Sequence, residues 1–388
     1  MNSGQWKTYF LLTYGCQMNA SDSERVIAVL EGAGLKKARG AKTADLVVIN
    51  TCGVRQTAEN RAMSQVHNIR LANPAAYIVI TGCLAERTDV QKKIKGKASA
   101  FWPTQSFSQK FELANKPVLN SSKKTGERDF THDHGGYLKI MPRYASPSAV
   151  CVPIMTGCDN YCSYCVVPYA RGPEWSRPVE EIIAEVTEAQ KNGAKEVTLL
   201  GQNVNSYTFI YKNPKKLTTT NRHLLPQKVS FPVLLSFLAQ TFRAITFRFL
   251  TSHPKDFSDE LIEIIADHSN IAKEIHLPIQ SGSSKTLAAM NRPYTREHYL
   301  RLINKIKKRI PEARFSTDVI VGFPGETEED FQGTVLAFKK VRFFEAYVNK
   351  YSPRPGTVAY PLGDPIPWEE KKRREKIIRG LVCKDNRP

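Results

Sequence analysis

The chain has 388 residues, 41% of them apolar, which is enough for two domains with real cores and too apolar for a disordered protein. Its net charge of +19 points to a polyanionic partner, nucleic acid first. No apolar run approaches the roughly 18 residues of a membrane span, and the polar start leading straight into a strand-like run is not a secretory signal. Eight cysteines then fit a reducing cytosol, where thiols serve metals or catalysis rather than disulfides.

Residues 6–13 (WKTYFLLT) read as a strand ending at Tyr14-Gly15-Cys16. A helix follows over 21–31, with Val26, Ile27 and Leu30 on one face and Ser21 with Glu24 as its capping box. Residues 46–50 (LVVIN) form a buried strand ending at Thr51-Cys52. A polar helix spans about 55–71, and the strand 77–81 (YIVIT) ends at Gly82-Cys83. Alternating strand and helix predict a parallel sheet with helices on its faces. Cys16, Cys52 and Cys83 each follow a strand by one to three residues, so all three emerge at the carboxyl edge, where ligands bind. The plainer alternative is three unrelated core cysteines.

Residues 105–147 carry Lys123-Lys124, Gly126, Gly135-Gly136, Pro142 and Pro147, and read as a linker with little core. A second alternation starts at 150–155 and runs straight into Gly157-Cys-Asp-Asn-Tyr-Cys-Ser-Tyr-Cys165. In a helix, Cys158 and Cys165 would stand about 10 Å apart along the axis. Gly157, Asp159 and Asn160 favour an irregular loop, in which the sulfurs converge. Three local thiolates suit a four-iron cluster with one iron left over. Zinc, which prefers paired CxxC spacings and four protein ligands, and a disulfide are the alternatives.

Further strands are expected at 196–200, 244–250, 273–277, 315–321 and 344–351, with helices at 178–192, 259–268 and 295–309, a helix capped by Thr327, and one at 368–381. These six units fit an open partial barrel better than a closed one, with chemistry at the strand ends. Polar groups stand there: Gln202 and Asn203, Ser252 and His253, Gln280 and Ser281, and Asp318. GFPGET (322–327) lacks the ending of a phosphate loop and reads as a strand-to-helix turn. Arg171 and Arg177, with Trp175 between them, suggest a grip on RNA, with an ion pair and core packing as the alternative. Lys212, Lys215, Lys216, Arg222 and Lys228 make a basic insertion, readable also as a solvated loop. Cys151 and Cys383 are not expected to be ligands.

The CxxxCxxC spacing with Tyr164 before its last cysteine, continuing into VVPYARGPEWSRP (166–178), resembles the radical S-adenosylmethionine (SAM) signature. With GCQMN, NTCGVR and GCLAER around Cys16, Cys52 and Cys83, the chain resembles the methylthiotransferases along nearly its whole length, and most closely their isopentenyladenosine branch. The resemblance implies two [4Fe-4S] clusters, one on each cysteine trio. SAM would bind the free iron of the Cys158, Cys162 and Cys165 cluster and be split into methionine and a deoxyadenosyl radical. Tyr164, Gln202, Asn203, Ser252, Gln280 and Asp318 would lie around it. The implied fold is a flavodoxin-like domain (1–104), the linker (105–147), an open partial (β/α)6 radical SAM barrel (148–365) and a helix (366–388) leading to an RNA-binding β-barrel that is absent or truncated. The implied activity is transfer of a methylthio group to carbon-2 of isopentenyladenosine in tRNA. The threonylcarbamoyladenosine enzyme, the ribosomal-protein aspartate enzyme and a non-catalytic iron–sulfur RNA-binding protein are the rivals. A flavodoxin or ferredoxin type electron donor, a sulfur donor, a monomeric state and a cytoplasmic location complete the expectation.

Overall fold

The structure is a computed structural model that describes residues 6–53, 56–115, 136–211 and 225–383. The chain divides into two compact units: Met1–Ser146 with Tyr169–Arg177, and Pro147–Pro168 with Pro178–Pro388.

The first unit runs β1 (Thr8–Thr13), α1 (Gln17–Gly32), β2 (Lys36–Lys37), β3 (Leu46–Thr51), α2 (Gln56–Ala72), β4 (Tyr77–Gly82), α3 (Thr88–Lys93), β5 (Ala100–Phe101) and α4 (Phe107–Ala114). Its sheet is parallel, in the order β2-β1-β3-β4-β5. Alternate residues of β3 explain the layering. Val47 and Ile49 pack with Ala62, Val66 and Ile69 of α2. Leu46 and Val48 pack with Val26 and Leu30 of α1 and with Trp6, Trp102, Phe107 and Phe111. Each such side chain removed from water contributes about 1.5–3 kcal/mol.

Two expectations change here. Helix α1 starts at Gln17 with Cys16 as N-cap, not at Ser21. Asn19 Oδ1 accepts from Cys16 N (3.5 Å), which supplies the cap. Ser21 Oγ instead accepts from Arg25 Nη1 (2.8 Å), and Glu24 Oε1 accepts from Ala145 N (2.9 Å). The stretch read as linker holds α4, whose Phe107 and Phe111, one helical turn apart, fill the core beside Trp102.

The second unit begins with β6 (Ala149–Pro153) and β7 (Met155–Thr156), and the cysteine loop follows. The short helix α5 (Val167–Arg171) leads to the segment that belongs to the first unit and holds β8 (Trp175–Ser176). Next come α6 (Val179–Lys191), β9 (Glu196–Leu200), the antiparallel pair β10 (Thr208–Ile210) and β11 (Lys228–Ser230), α7 (Phe231–Thr241), β12 (Thr246–Phe249) and α8 (Asp259–Asp267). The chain continues through β13 (Glu274–His276), α9 (Ser284–Ala289), α10 (Arg296–Arg309), β14 (Arg314–Val321), α11 (Glu328–Val341), β15 (Glu345–Lys350) and α12 (Trp368–Gly380). Parallel sheets β6-β9-β12 and β13-β14-β15 are bridged at Phe247–Ile271, so six strands follow one another in chain order.

Thr295 and Thr327 cap α10 and α11 through side-chain oxygens, the latter in a box with Asp330, as expected for that helix. Helix α7 was not anticipated. Its sequence, FPVLLSFLAQT, is apolar on nearly every side and shows no helical stripe to read. Of the basic insertion, Lys212, Lys215, Lys216 and Arg222 lie outside the described residues, and Lys228 is exposed on β11. Among the described residues no helix is long and apolar enough to cross a membrane.

Gly82 offers a direct test of how Cys83 is delivered. Its φ is +81°, and a Cβ there would lie 2.3 Å from Thr51 O and 2.4 Å from Asn50 Oδ1. Gly82→Ala should cost about 1–3 kcal/mol for the backbone conformation alone, and more for the overlap. Urea unfolding checks it; an unchanged midpoint would contradict the packing.

Candidate functional site

In the first unit, β1, β3 and β4 are neighbours, and register pairs Thr13 with Asn50 and Thr51 with Gly82. Their next residues therefore leave the sheet side by side. Cys83 N donates to Thr51 O (2.9 Å), which sets Cys83 beside Cys52. Gly15, at φ +139°, brings the β1 turn close enough that an added Cβ would stand 2.7 Å from Cys52 Cβ. The gap between β1 and β3 is also where the strand order reverses, the place where open α/β sheets bind ligands.

A buried amide pair fixes these turns from behind. Asn19 Nδ2 donates to Asn50 Oδ1 and to Thr51 O (both 3.0 Å), and Asn50 Nδ2 donates to Asn19 O (2.8 Å) and Ser23 Oγ (2.9 Å). Cys16 Sγ lies 3.3 Å from Asn19 Oδ1. Cys16 is exposed, while Cys52 and Cys83 are buried.

Arg171 belongs to this unit and donates through Nη2 to Asp22 Oδ2 at 2.7 Å, with exposures of 5% and 0%. Burial alone would favour the neutral guanidine. Asp22, with Cys83, Tyr137 and Cys16 adding to the field, together outweigh it, and the charge is held firmly on. Arg171 Nη1 and Asp22 Oδ1 are buried without a hydrogen-bond partner. Arg177 is 2% exposed and Trp175 half-buried. The grip on RNA by Arg171 and Arg177 is therefore corrected, because buried guanidinium groups do not meet phosphates.

In the second unit, Gly157 (φ +82°) and Tyr161 (φ +45°) turn the loop that carries Cys158, Cys162 and Cys165. The residues after α9 hold it. Ser163 N donates to Met290 O (3.0 Å), Ser163 Oγ to Ala289 O (2.8 Å), and Asn291 Nδ2 to Tyr161 O (2.9 Å). Asn291 itself has φ +55°.

Each sulfur of this trio receives a nitrogen donor. Asn160 Nδ2 reaches Cys158 (3.5 Å), Arg292 Nη1 reaches Cys162 (3.5 Å), and Val167 N reaches Cys165 (3.4 Å). Donors aimed at sulfur suit thiolates that carry charge. As a free thiol, Cys165 is pushed up first by burial and then by Cys162 and Cys158 nearby. All eight cysteines stand as free thiols. Among the described residues no three His, Cys, Asp or Glu side chains come close enough for a single metal ion. Tyr164 packs against Met290, Phe323, Tyr351 and Ala359, an apolar anchor for the loop.

The ends of β9 and β12 gather buried polar atoms without hydrogen-bond partners: Gln202 Oε1, Asn203 Oδ1, Asn205 Nδ2, Ser252 Oγ and His253 Nε2. His253 Nδ1 accepts from Lys255 N (3.2 Å), so the neutral ring carries its proton on Nε2. Burial, then Arg292 and Lys255, push the imidazole down to about 2. The ends of β13 and β14 differ. Asp318 Oδ2 is bonded to His276 Nε2 (2.9 Å), and Gln280, at φ +63°, bonds Asp318 O through its own N–H (2.9 Å). No sequence signal marks Asn205, Asn291, Arg292 or Tyr294 as site residues. The run 290–294 reads only as the approach to α10, and nothing local ties it to a loop about 130 residues earlier.

The Arg171–Asp22 pair makes a stability prediction. Asp22→Ala strands a buried cation and should destabilise the protein by about 3–5 kcal/mol. The double variant Asp22→Leu, Arg171→Met should recover most of that loss in chemical denaturation, and failure to recover it would show that the charge pair is not the cause.

Residues 152–337 match the radical SAM superfamily, and residues 8–101 match the family described as uncharacterized protein family UPF0004. The chain is 41% identical over 373 residues to the tRNA-2-methylthio-N(6)-dimethylallyladenosine synthase of Endomicrobium trichonymphae, covering 95% of this chain and 82% of that one. It is 40% identical over 378 residues to the synthase of Carboxydothermus hydrogenoformans, covering 95% and 81%. Among solved structures, a radical S-adenosylmethionine methyltransferase from Kitasatospora setae shares the fold with a TM-score of 0.61 at 14% identity, over 91% of this chain and 75% of that one. Sequence, parallel α/β sheets and the three-cysteine loop agree: the chain belongs to the radical SAM superfamily and, within it, to the family of tRNA-2-methylthio-N(6)-dimethylallyladenosine synthases.

Proposed function

We propose that this protein is a radical SAM tRNA methylthiotransferase that adds a methylthio group to carbon-2 of N(6)-dimethylallyladenosine. The observation that carries the reading is identity near 40% along 95% of the chain to synthases of that name. The donor pattern on Cys158, Cys162 and Cys165 supports it from the chemistry. When bound, a [4Fe-4S] cluster and SAM supply one-electron cleavage of SAM, chemistry that no side chain offers.

The chain's own residues do the rest. Cys158, Cys162 and Cys165 would hold the cluster, beside which SAM would bind. The unpartnered atoms of Gln202, Asn203, Asn205, Ser252 and His253 meet polar groups of SAM or of the substrate base. Gln280 and Asp318 shape that site's other side, and Tyr164 steadies the loop. Burial favours the neutral form of His253, and its Nε2–H is left to donate.

The finer architecture belongs to the same reading. The order β2-β1-β3-β4-β5 is that of a flavodoxin-like domain, and the six parallel strands of the second unit correspond to an open partial (β/α)6 barrel. Residues 1–104 then serve as the sulfur-handling domain, with Cys16, Cys52 and Cys83 holding a second [4Fe-4S] cluster, and residues 148–365 as the radical domain. An electron donor of flavodoxin or ferredoxin type, a separate sulfur donor, a monomeric state and action in the cytoplasm complete the proposal.

Anaerobic reconstitution should load iron and sulfide for two clusters, and for one after either trio is changed to alanine. A wild-type chain that saturates at one cluster would exclude the two-site assignment. Mass spectrometry of tRNA nucleosides should reveal methylthiolation of dimethylallyladenosine; unmodified tRNA, or modification of threonylcarbamoyladenosine instead, would redirect the function. His253→Ala should weaken SAM binding roughly three- to tenfold, the worth of one hydrogen bond, as measured by anaerobic equilibrium dialysis.

A further inference from the structure

Arg292 is 7% exposed and uses each arm of its guanidinium within its own unit. Nε donates to Tyr294 Oη (3.0 Å), Nη2 to Pro278 O (3.1 Å) and Nη1 to Cys162 Sγ (3.5 Å). Tyr294 is pinned in turn, its hydroxyl 3.2 Å from Pro278 O and 3.1 Å from Ile279 O, and its ring lies 5.1 Å from the guanidinium. The side chain has no freedom to turn elsewhere.

Among the described residues no carboxylate pairs with Arg292, although Arg171 and Arg374, equally buried, pair with Asp22 and Glu326. An uncompensated buried cation costs several kcal/mol. Backbone carbonyls and a phenol hydroxyl offer dipoles, not a charge. The anionic partner in reach is the cysteine trio.

We propose that Arg292 is a positioning residue for the cluster on Cys158, Cys162 and Cys165: its guanidinium is the fixed counter-charge of that anionic site and, through the bond to Cys162 Sγ, sets how readily the site accepts an electron. The inference rests on the reading that Cys162 ligates a cluster. A hydrogen bond and a positive charge at a ligand sulfur favour the reduced, more negative form, so they raise the potential. Burial is the first cause of the lowered His253 pKa, and the Arg292 charge adds to it.

The test uses the full chain with Cys16, Cys52 and Cys83 changed to alanine, so that one cluster is read. Iron per chain and the midpoint potential are measured under anaerobic dithionite titration for this parent, Arg292→Lys and Arg292→Gln. The potential should fall in both, by less in Arg292→Lys, which keeps the charge and loses the planar fork. Loss of iron from Arg292→Gln with a native far-ultraviolet spectrum also supports the role, since the thiolates then lack their counter-charge. If Arg292→Gln fails to fold, Arg292→Lys decides. Iron-loaded variants with the parent's midpoint would overturn the inference, whereas an iron-free parent would overturn the cluster assignment beneath it.

Discussion

Parallel pairing lines up strand ends, and the chemistry of this chain depends on that alignment. Antiparallel neighbours would send alternate turns to opposite edges of a sheet. Here Cys16, Cys52 and Cys83 leave adjacent strands in one direction, as do the polar residues that follow β9 and β12 in the second unit. The helices make this possible, since each carries the chain back to start the next strand the same way. The burial of β3, covered on both faces, thus serves the placement of a sulfur one residue past its end.

Placement alone would not hold reactive groups apart from their surroundings. Around both trios, nitrogen donors and amides are spent on keeping turns in shape. The Asn19–Asn50 pair locks the first set from within the sheet edge. The strip after α9 holds the second, and there the holding residues also carry the charge. The two units differ in how a buried arginine is balanced. Arg171 has Asp22, while Arg292 has sulfur. The overall charge of +19 says nothing of this, because both cations are withdrawn from solvent.

What the sequence made legible was whatever is written locally. Strand Glu196–Leu200 was read to the residue, and the cysteine positions relative to their strands followed from short apolar runs. The cap at Thr327 was readable because a cap acts within three residues, whereas Thr295, read as the first residue of its helix, is the N-cap of α10. The start of α1 was misread because Cys16 is an unusual cap, and Asn19 does the work assigned to Glu24. Helix α7 lacked a polar face, and α4 lay hidden at the start of a stretch whose later glycines, prolines and Lys123-Lys124 pair read as a linker. Arg292 was out of reach for a different reason: its meaning comes from Cys162, about 130 residues earlier, and no pattern along the chain encodes that meeting.

Tyr161, Thr251, Gln280 and Asn291 all adopt left-handed backbone angles, and all lie in the cysteine loop, the turns after β12 and β13, or the strip behind α9. Such conformations cost non-glycine residues on the order of 1 kcal/mol or more each. Glycine adopts the same angles without that strain. These strained turns sit beside the sulfur loop and the polar strand ends, so a stabilisation campaign that scanned for backbone relief would be drawn first to the turns the enzyme can least spare.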